Sequence, residues 1–346
     1  MGLRPFRRIL VTGGAGFIGS HFVRLLLALD VPEVVVLDKL TYAGSLLNLE
    51  DVLDDPRVRF LHGDIADPAA VTEAIAGCDA VVNFAAETHV DRSLLAPAAF
   101  IQTNVWGTMV LLEQALRVGV QRFLHVSTDE VYGEILVGAA READPLRPRN
   151  PYAASKAAAE HFVFSYWTSY GLPVLVTRGC NTYGPYQYPE KFIPLAITNL
   201  LSGQPVPIYG DGLQERDWLY VEDHCHAIWT VLVHGKPGDT YNIGASQHRP
   251  NIEVARAVVR LLNADPASIV HVADRPGHDR RYAVDWSKLA ALGWTPRTPF
   301  EEGLARTVTW YRHRADWWTA RRDEAFAQYY AQNYGNRSVP SSEPCR

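Results

Sequence analysis

The chain has 346 residues, of which 47% are hydrophobic, and its formal net charge of −5 comes from interspersed acidic and basic residues. This length and apolar content predict a well-buried core, in two domains or in one large domain with a lobe. Because there is no block of lysine and arginine, nucleic acid and anionic membranes are poor candidates for partners.

The cysteines and the chain ends predict where the protein resides. The four cysteines have no CxxC spacing, which favours a reducing, cytoplasmic setting. The N-terminal segment MGLRPFRRILVTGG has no long apolar run, so we expect no signal peptide. No 18-residue apolar stretch predicts a transmembrane helix. The Pro/Ser-rich end, residues 335–346, is expected to be disordered.

Short buried strands alternate with helical patterns through the first half of the chain. Strands are predicted in RRILVTGG, EVVVLD, RVRFLHGD, DAVVNFAA, QRFLHVST and PVLVTRG, and helices near residues 68–76, near 98–118 and after NPYAASK. Continuous apolar strands that alternate with helices predict an α/β fold, a Rossmann-type doubly wound parallel sheet covered on both faces.

The composition changes after about residue 184, where Pro, Tyr and Trp become frequent. DTYNIG predicts one more strand that returns to the sheet, and residues 251–263 and 300–314 have helical patterns. We therefore predict a nucleotide-binding domain over residues 1–184, to which a segment near 222–245 returns. A smaller C-terminal substrate-binding lobe would comprise residues 185–221 and 246–330.

The turn after the first strand, VTGGAGFIG, contains overlapping glycine patterns typical of dinucleotide sites. Glycines there permit a tight turn and let backbone amides approach a pyrophosphate at a helix N-terminus. Asp38 lies 19 residues beyond Gly19, where an acid bonds the adenosine ribose hydroxyls and favours NAD over NADP. The neighbouring Lys39 leaves NADP open, because a base could tolerate a 2′-phosphate.

Two further strand ends are expected to contact the cofactor. HGD places Asp64 where the adenine could rest, with Ile65 beside it, and the small residues Ala85 and Ala86 follow the fourth strand. Small side chains let the backbone approach a cofactor, although close packing between strand and helix explains them equally well.

The segment NPYAASKAAAEHF places Tyr152 and Lys156 four residues apart on one face of a helix. A free tyrosine, with a pKa of about 10, is a poor base, and a nearby ammonium lowers that pKa by favouring phenolate. The pair is therefore a candidate base that removes a hydroxyl proton while hydride leaves the same carbon. Ser127 or Thr128 could hydrogen-bond that substrate hydroxyl.

The fifth predicted strand runs into STDEVYG, which contains the adjacent carboxylates Asp129 and Glu130. Like charges repel and carboxylates near a core lose hydration. The pair therefore either lies in a solvated loop or points into a cleft and carries out proton chemistry. Spacing alone does not decide which residue is the acid and which is the base.

Several motifs together, including GGAGFIG, DKLTYAG, NFAAETHVDRS, STDEVYG, PYAASK, RDWLYVEDH and DRPGHDRRY, resemble the extended short-chain dehydrogenase/reductase superfamily and, within it, the dTDP-glucose 4,6-dehydratases. The resemblance spans roughly residues 7–314. It implies an NAD-dependent lyase of deoxysugar biosynthesis that converts dTDP-D-glucose to dTDP-4-keto-6-deoxy-D-glucose. Oxidation at carbon 4 makes the carbon 5 proton acidic, so water can leave across carbons 5 and 6 before hydride returns to carbon 6.

The resemblance also implies a homodimer through the helices near 98–118 and 151–170, and it assigns residues to roles. Asp129 would be the acid and Glu130 the base, with Thr128, Tyr152 and Lys156 completing the catalytic set. The cofactor would contact Gly13, Gly16, Phe17, Ile18, Gly19, Asp38, Lys39, Thr41, Asp64, Ile65, Ala85, Ala86, Thr88, Thr103, Tyr152, Lys156 and Thr182. The nucleotide sugar would contact His89, Thr128, Asn181, Lys191, Pro207, Tyr209, Arg216, Gln247, Arg275 and His278.

Alternatives remain open at this stage. A nucleotide-sugar 4-epimerase or decarboxylase would need Tyr152, Lys156 and NAD but no carboxyl pair, and a non-catalytic NAD-binding regulator is a third hypothesis. Gly179, Cys180, Thr182 and Gln247 depart from the family pattern, so the choice among dTDP, UDP, GDP and CDP is undecided. The segment DHCH predicts no metal site, because histidines two apart on a helix face different ways.

Overall fold

The structure, a computed structural model, describes residues 5–335. The disorder expected for residues 335–346 falls, apart from residue 335, outside the described residues. Twelve strands are described: β1 (Arg8–Thr12), β2 (Glu33–Asp38), β3 (Val58–His62), β4 (Ala80–Asn83), β5 (Arg122–Thr128), β6 (Val174–Gly179), β7 (Asn181–Tyr183), β8 (Val206–Tyr209), β9 (Glu215–Tyr220), β10 (Thr240–Ile243), β11 (His248–Pro250) and β12 (Ile269–Val272).

The helices of the described chain fall largely between these strands. They are α1 (Phe17–Ala28), α2 (Pro68–Ile75), α3 (Val90–Leu95), α4 (Pro97–Phe100), α5 (Thr108–Val118), α6 (Pro151–Tyr170), α7 (Phe192–Leu201), α8 (Val221–His234), α9 (Asn251–Leu262), α10 (Ser287–Ala290), α11 (Phe300–His313), α12 (Ala315–Thr319) and α13 (Glu324–Tyr330). A π-helical segment, Ile101–Gly107, joins α4 to α5.

Seven strands form one sheet in the order β10-β6-β5-β4-β1-β2-β3, and every pair in it is parallel. Alternate residues of β1 point to opposite faces: Ile9 and Val11 pack with α1 and α8, whereas Leu10 packs with α2 and α5. The predicted α/β fold with a doubly wound parallel sheet is confirmed. Such a sheet collects the carboxyl ends of its strands along one edge, where ligands bind.

A separate apolar cluster surrounds the smaller sheet β11-β9-β7. Trp218 and Tyr220 of β9 pack there with α7, α9 and α11, so the aromatic residues of the second half form a core. The strands β12 and β8 form a further, two-stranded sheet. None of the helices among residues 5–335 has the length and apolar character needed to cross a membrane.

Candidate active site

A cavity lies at the carboxyl ends of the parallel strands and brings together most of the predicted site. All seventeen residues predicted to contact the cofactor line it, as do Thr128, Asp129, Glu130, Asn181 and Lys191. These residues come from segments that are far apart in sequence, so the fold assembles them. Their individual roles toward cofactor and substrate stay predictions.

The glycine turn between β1 and α1 is held close to the end of β4. Gly13 has a φ of +67°, and a Cβ atom on it would lie 2.7 Å from the amide nitrogen of Ala85. A Cβ on Gly19 would collide with the carbonyl oxygen of Gly13. Only glycine fits both positions, and the cradle that results leaves the N-terminus of α1 open to a pyrophosphate. These residues fit a dinucleotide.

The Asp38 carboxylate at the end of β2 accepts hydrogen bonds from the protein's own backbone. The Asp38 carboxylate accepts hydrogen bonds from the amides of Ala15 (3.0 Å) and Leu40 (2.8 Å). Burial raises the pKa of Asp38, and the two amides oppose this shift. The carboxylate also lines the cavity, where it can meet a ribose hydroxyl.

Lys39 is surrounded by partners that compete with a 2′-phosphate. Its Nζ lies 3.0 Å from Oγ1 of Thr103, 3.5 Å from Asp64 and 3.6 Å from Glu87. Both carboxylates line the cavity and would repel an additional phosphate. This arrangement favours NAD over NADP, the alternative that Lys39 left open in the sequence.

The carboxyl pair follows directly from the end of β5. Oγ1 of Thr128 accepts a hydrogen bond from the amide of Glu130 (3.3 Å) and so caps the short 3₁₀ turn Asp129–Tyr132. Asp129 is buried and lines the cavity. The pair therefore points into a cleft, and the solvated loop is excluded.

The two carboxyl groups have different surroundings. Burial, followed by the charge of Glu130, raises the pKa of Asp129 well above its ordinary value, and the Arg216 guanidinium opposes this shift. The Glu130 carboxylate contacts Asn150 and Tyr282, each 3.4 Å from its Oε2. The raised pKa of Asp129 favours its protonated form, which the acid role requires.

Helix α6 presents Tyr152 in its first turn because Asn150 caps it, accepting a hydrogen bond from the amide of Ala153 (2.8 Å). Nζ of Lys156 donates to the carbonyl oxygen of Val126 (2.7 Å) and lies 3.3 Å from Nε2 of His125. Burial lowers the pKa of Lys156 to about 8. The lysine is therefore tied to strand β5.

The pKa of Tyr152 is raised among the described residues, so its lowering by Lys156 stays a prediction. Burial raises the Tyr152 pKa, the charge of Glu130 raises it further, and a hydrogen bond with Thr128 opposes both. The Lys156 ammonium is directed instead to Val126 and His125. A bound, oxidised nicotinamide would add a positive charge that favours phenolate.

Seven predicted substrate residues do not line the cavity: His89, Pro207, Tyr209, Arg216, Gln247, Arg275 and His278. Three of these residues, Tyr209, Arg275 and His278, have acidic hydrogen-bond partners. Asp91 receives hydrogen bonds from Arg275 (3.2 Å) and Tyr209 (3.0 Å), and His278 lies 2.6 Å from Asp274. Tyr209, Arg275 and His278 are thus connected through Asp91 and through a contact between the Tyr209 and His278 rings.

Two of these predicted substrate residues, Arg216 and Arg275, interact electrostatically with the carboxyl pair. Arg216 donates to the carbonyl oxygen of Asp279 (2.9 Å), and its guanidinium lies 4.3 Å from the centre of the Tyr282 ring. Burial lowers the pKa of Arg216, and the charge of Glu130 is among the effects that oppose this shift. Burial also acts to lower the pKa of Arg275, but the charges of Asp91 and Glu130 raise it. Within the described residues, the contacts of the Arg216 guanidinium are to carbonyl groups and to the Tyr282 ring.

Gln247 has a structural role in the described chain. Its amide nitrogen donates to the carbonyl oxygen of Thr298 (3.1 Å), and its Oε1 accepts from the amide of Phe300, the first residue of α11. Both polar atoms therefore anchor the start of that helix. Gln247 does not line the cavity, and its contact with substrate stays a prediction.

Several lining residues were missed as cofactor or substrate contacts. Glu87, Gln187, Tyr188 and His224 line the cavity together with small and apolar residues such as Gly44, Gly63 and Phe84. His224 stands in DHCH, where the sequence raised only the question of a metal. Among the described residues, no group of His, Cys, Asp and Glu could hold a metal ion. The position of His224 four residues after the end of β9 could have indicated in the sequence that it lies near a ligand site.

The fold and this site define a nucleotide-sugar-modifying enzyme of the short-chain dehydrogenase/reductase type. The model of the family described as GDP-mannose 4,6 dehydratase matches residues 10–307. A dTDP-glucose 4,6-dehydratase from Streptomyces niveus is 51% identical over 90% of this chain and 94% of its own length. The chain belongs to this family of nucleotide-sugar 4,6-dehydratases.

Solved structures give the same result. The dTDP-glucose 4,6-dehydratase DesIV from Streptomyces venezuelae, solved with NAD bound, has a TM-score of 0.89 and 52% identity, and the match covers 91% of this chain and 99% of that one. The UDP-glucose 4-epimerase from Thermus thermophilus, also solved with NAD, has a TM-score of 0.83 and 36% identity over 89% and 99% of the two chains. The fold is shared by both activities, and the sequence is closer to the dehydratase.

Proposed function

We propose that the protein is an NAD-dependent hydro-lyase that converts dTDP-D-glucose to dTDP-4-keto-6-deoxy-D-glucose. One observation carries the proposal: Asp129, buried and with a raised pKa, lies next to Glu130 in the cavity that Tyr152 also lines. An acid and a base at adjacent positions are what the elimination of water requires. Oxidation at carbon 4 alone would need neither.

The residues of the chain divide the proton transfers among them. Tyr152, hydrogen-bonded by Thr128, takes the proton of the carbon 4 hydroxyl. Glu130 removes the carbon 5 proton once carbon 4 is a ketone, and Asp129 donates its proton to the departing carbon 6 hydroxyl. Bound NAD would supply the hydride acceptor for carbon 4 and the same hydride for carbon 6. Glu130 then returns its proton to carbon 5, which completes the 4-keto-6-deoxy product.

The matched test compares four donors and two variants. The unmodified protein is incubated with dTDP-, UDP-, GDP- and CDP-glucose, and the 4-keto product is detected by its chromophore in alkali. We expect product with dTDP-glucose and a large loss in Asp129→Asn and Glu130→Gln. Product formation that survives both substitutions would overturn the roles given to the carboxyl pair, and an epimerised or decarboxylated sugar nucleotide without 4-keto product would overturn the proposal in favour of the 4-epimerase or decarboxylase.

The finer features of the prediction belong to the same proposal. We propose a homodimer that packs α5 and α6 against their copies, a cytoplasmic location, and substrate contacts from the lobe residues 185–221 and 246–330. Exposed apolar side chains on and before these helices support the dimer: Ile101 is 56% exposed, Trp106 45%, Phe162 40% and Trp167 39%. Sedimentation of the full chain tests it.

A further inference from the structure

The imidazole of His224 has one nitrogen without a partner. His224 lies in the first turn of α8, and its Nδ1 is 2.6 Å from Oγ1 of Thr182. The residue is 2% exposed, yet Nε2 has no hydrogen-bond partner within residues 5–335. Because His224 also lines the cavity, a bound molecule can supply the missing partner.

Gly179 fixes where this nitrogen lies. A Cβ atom on Gly179 would be 2.7 Å from Cε1 and 2.8 Å from Nε2 of His224, so the ring rests on the bare backbone of β6. Gly179 is paired with Thr128 in the parallel register of β5 and β6. Nε2 is therefore at the strand ends that carry Thr128 and Asp129, at the reactive end of the cavity.

The hydrogen bonds around Thr182 decide the tautomer. Its hydroxyl donates to the carbonyl oxygen of Cys180 (3.3 Å), and a hydroxyl has one proton. Both contacts of Thr182 are satisfied at once when Nδ1 of His224 carries a hydrogen and donates to Oγ1, and this is the tautomer that we assign. Burial lowers the pKa of His224 to about 4, so the ring is neutral and Nε2 has a free lone pair. Nε2 is a hydrogen-bond acceptor that faces the cavity.

We propose that Nε2 of His224 accepts a hydrogen bond from the carboxamide N–H of the nicotinamide and so holds the orientation of that ring. The inference rests on NAD as the cofactor and deepens the proposed function. The glycine turn at Gly13 and the carboxylate of Asp38 occupy the other end of the cavity and suit pyrophosphate and adenosine. The nicotinamide would then lie toward the end of β5, where its carboxamide can donate a hydrogen bond to Nε2.

The proposed contact of His224 with the nicotinamide involves two residues that depart from the family pattern, Gly179 and Thr182. Thr182, one of these departures, supplies the hydroxyl that contacts Nδ1 of His224. Gly179 leaves space for the imidazole, which any larger residue would displace. His224 is thus a cofactor-positioning residue whose geometry depends on both.

The test is a binding measurement without sugar. NAD, 3-acetylpyridine adenine dinucleotide, which has a methyl in place of the carboxamide NH₂, and ADP-ribose are titrated calorimetrically into cofactor-depleted, full-length protein. We expect NAD to bind about tenfold more tightly than the acetyl analogue, as for the loss of one buried hydrogen bond. In His224→Phe we expect the two to bind equally, while ADP-ribose affinity is unchanged.

Each alternative result contradicts the proposal. Equal binding of NAD and the analogue to the unmodified protein would show that the N–H is not recognised. A loss of ADP-ribose affinity in His224→Phe would show a general structural role instead. His226→Phe, two residues along α8 and outside the cavity lining, is the matched control and should keep the tenfold preference.

A second measurement avoids the risk that the variant fails to fold. The ¹⁵N resonance of Nε2 of His224 in the unmodified protein should shift on addition of NAD and shift much less with ADP-ribose. Equal shifts with both would overturn the inference. Neither readout requires dehydration, so a failure of the proposed reaction leaves this test separately interpretable.

Discussion

Nζ of Lys156 donates a 2.7 Å hydrogen bond to the carbonyl oxygen of Val126, and this bond joins α6 to the strand that leads into Asp129. The same ammonium lies 3.3 Å from Nε2 of His125, whose pKa burial and the Lys156 charge lower well below its ordinary value. Tyr152 and the carboxyl pair thus belong to elements held together by one buried lysine.

This burial predicts a pH-dependent stability. Because the folded pKa of Lys156, about 8, lies below the ordinary lysine value of 10.5, the folded state binds fewer protons between these values. The cost of burying the charged lysine is therefore full below pH 8 and disappears as pH rises toward 10.5. Relative to Lys156→Met, the unmodified protein should gain about 3 kcal/mol of unfolding free energy across this window. Urea unfolding at several pH values measures the difference, and a constant difference would contradict the account.

The order of acid and base is tested by exchange at carbon 5. Glu130→Gln removes the base, so incorporation of solvent deuterium at carbon 5 of the nucleotide sugar should stop. Asp129→Asn keeps the base and removes the acid, so exchange should continue while water loss falls by about 10²–10⁴-fold. Mass spectrometry of recovered sugar distinguishes the variants. Exchange that is lost in Asp129→Asn and retained in Glu130→Gln would reverse the assignment.

Cofactor choice should depend on the carboxylates around Lys39. Asp64→Asn removes one of the negative charges near its ammonium, so repulsion of a 2′-phosphate decreases. We expect NADP affinity to rise about three- to tenfold, with NAD affinity changed less. Calorimetric titration with both cofactors measures this. Asp67→Asn, which alters an exposed cap of α2 instead, serves as the control and should leave the NADP affinity unaltered.

A buried ion pair behind the carboxyl turn should matter for folding. Arg178 forms a bidentate contact with Glu160 and donates to the hydroxyl of Tyr132 (2.7 Å), three residues after Asp129. Glu160→Ala leaves an unpaired buried guanidinium and should cost about 3–5 kcal/mol of unfolding free energy. Glu302→Ala breaks the exposed pair with Arg306 and should cost less than about 1 kcal/mol. Equal costs in denaturant unfolding would contradict the difference in burial.

The sheet could be predicted from sequence because each strand is an uninterrupted apolar run followed by a helical pattern, as in EVVVLD. The cavity lining followed from the family motifs, including Thr103 and Lys191, which no local pattern would have singled out. What could not be predicted depends on contacts between distant residues. The partner of Lys156 is a backbone carbonyl in another element, and the Gln247 amide is used by the start of α11. His224 became a candidate only when Gly179 and Thr182 were seen beside it.

The path of one hydrogen atom tests the central claim most directly. dTDP-glucose labelled with deuterium at carbon 4 is converted by the full-length protein, and the product is analysed by NMR and mass spectrometry. The account predicts a 4-keto product that carries the deuterium at carbon 6, because the hydride taken from carbon 4 returns there. Deuterium retained at carbon 4 of an epimerised sugar would contradict it.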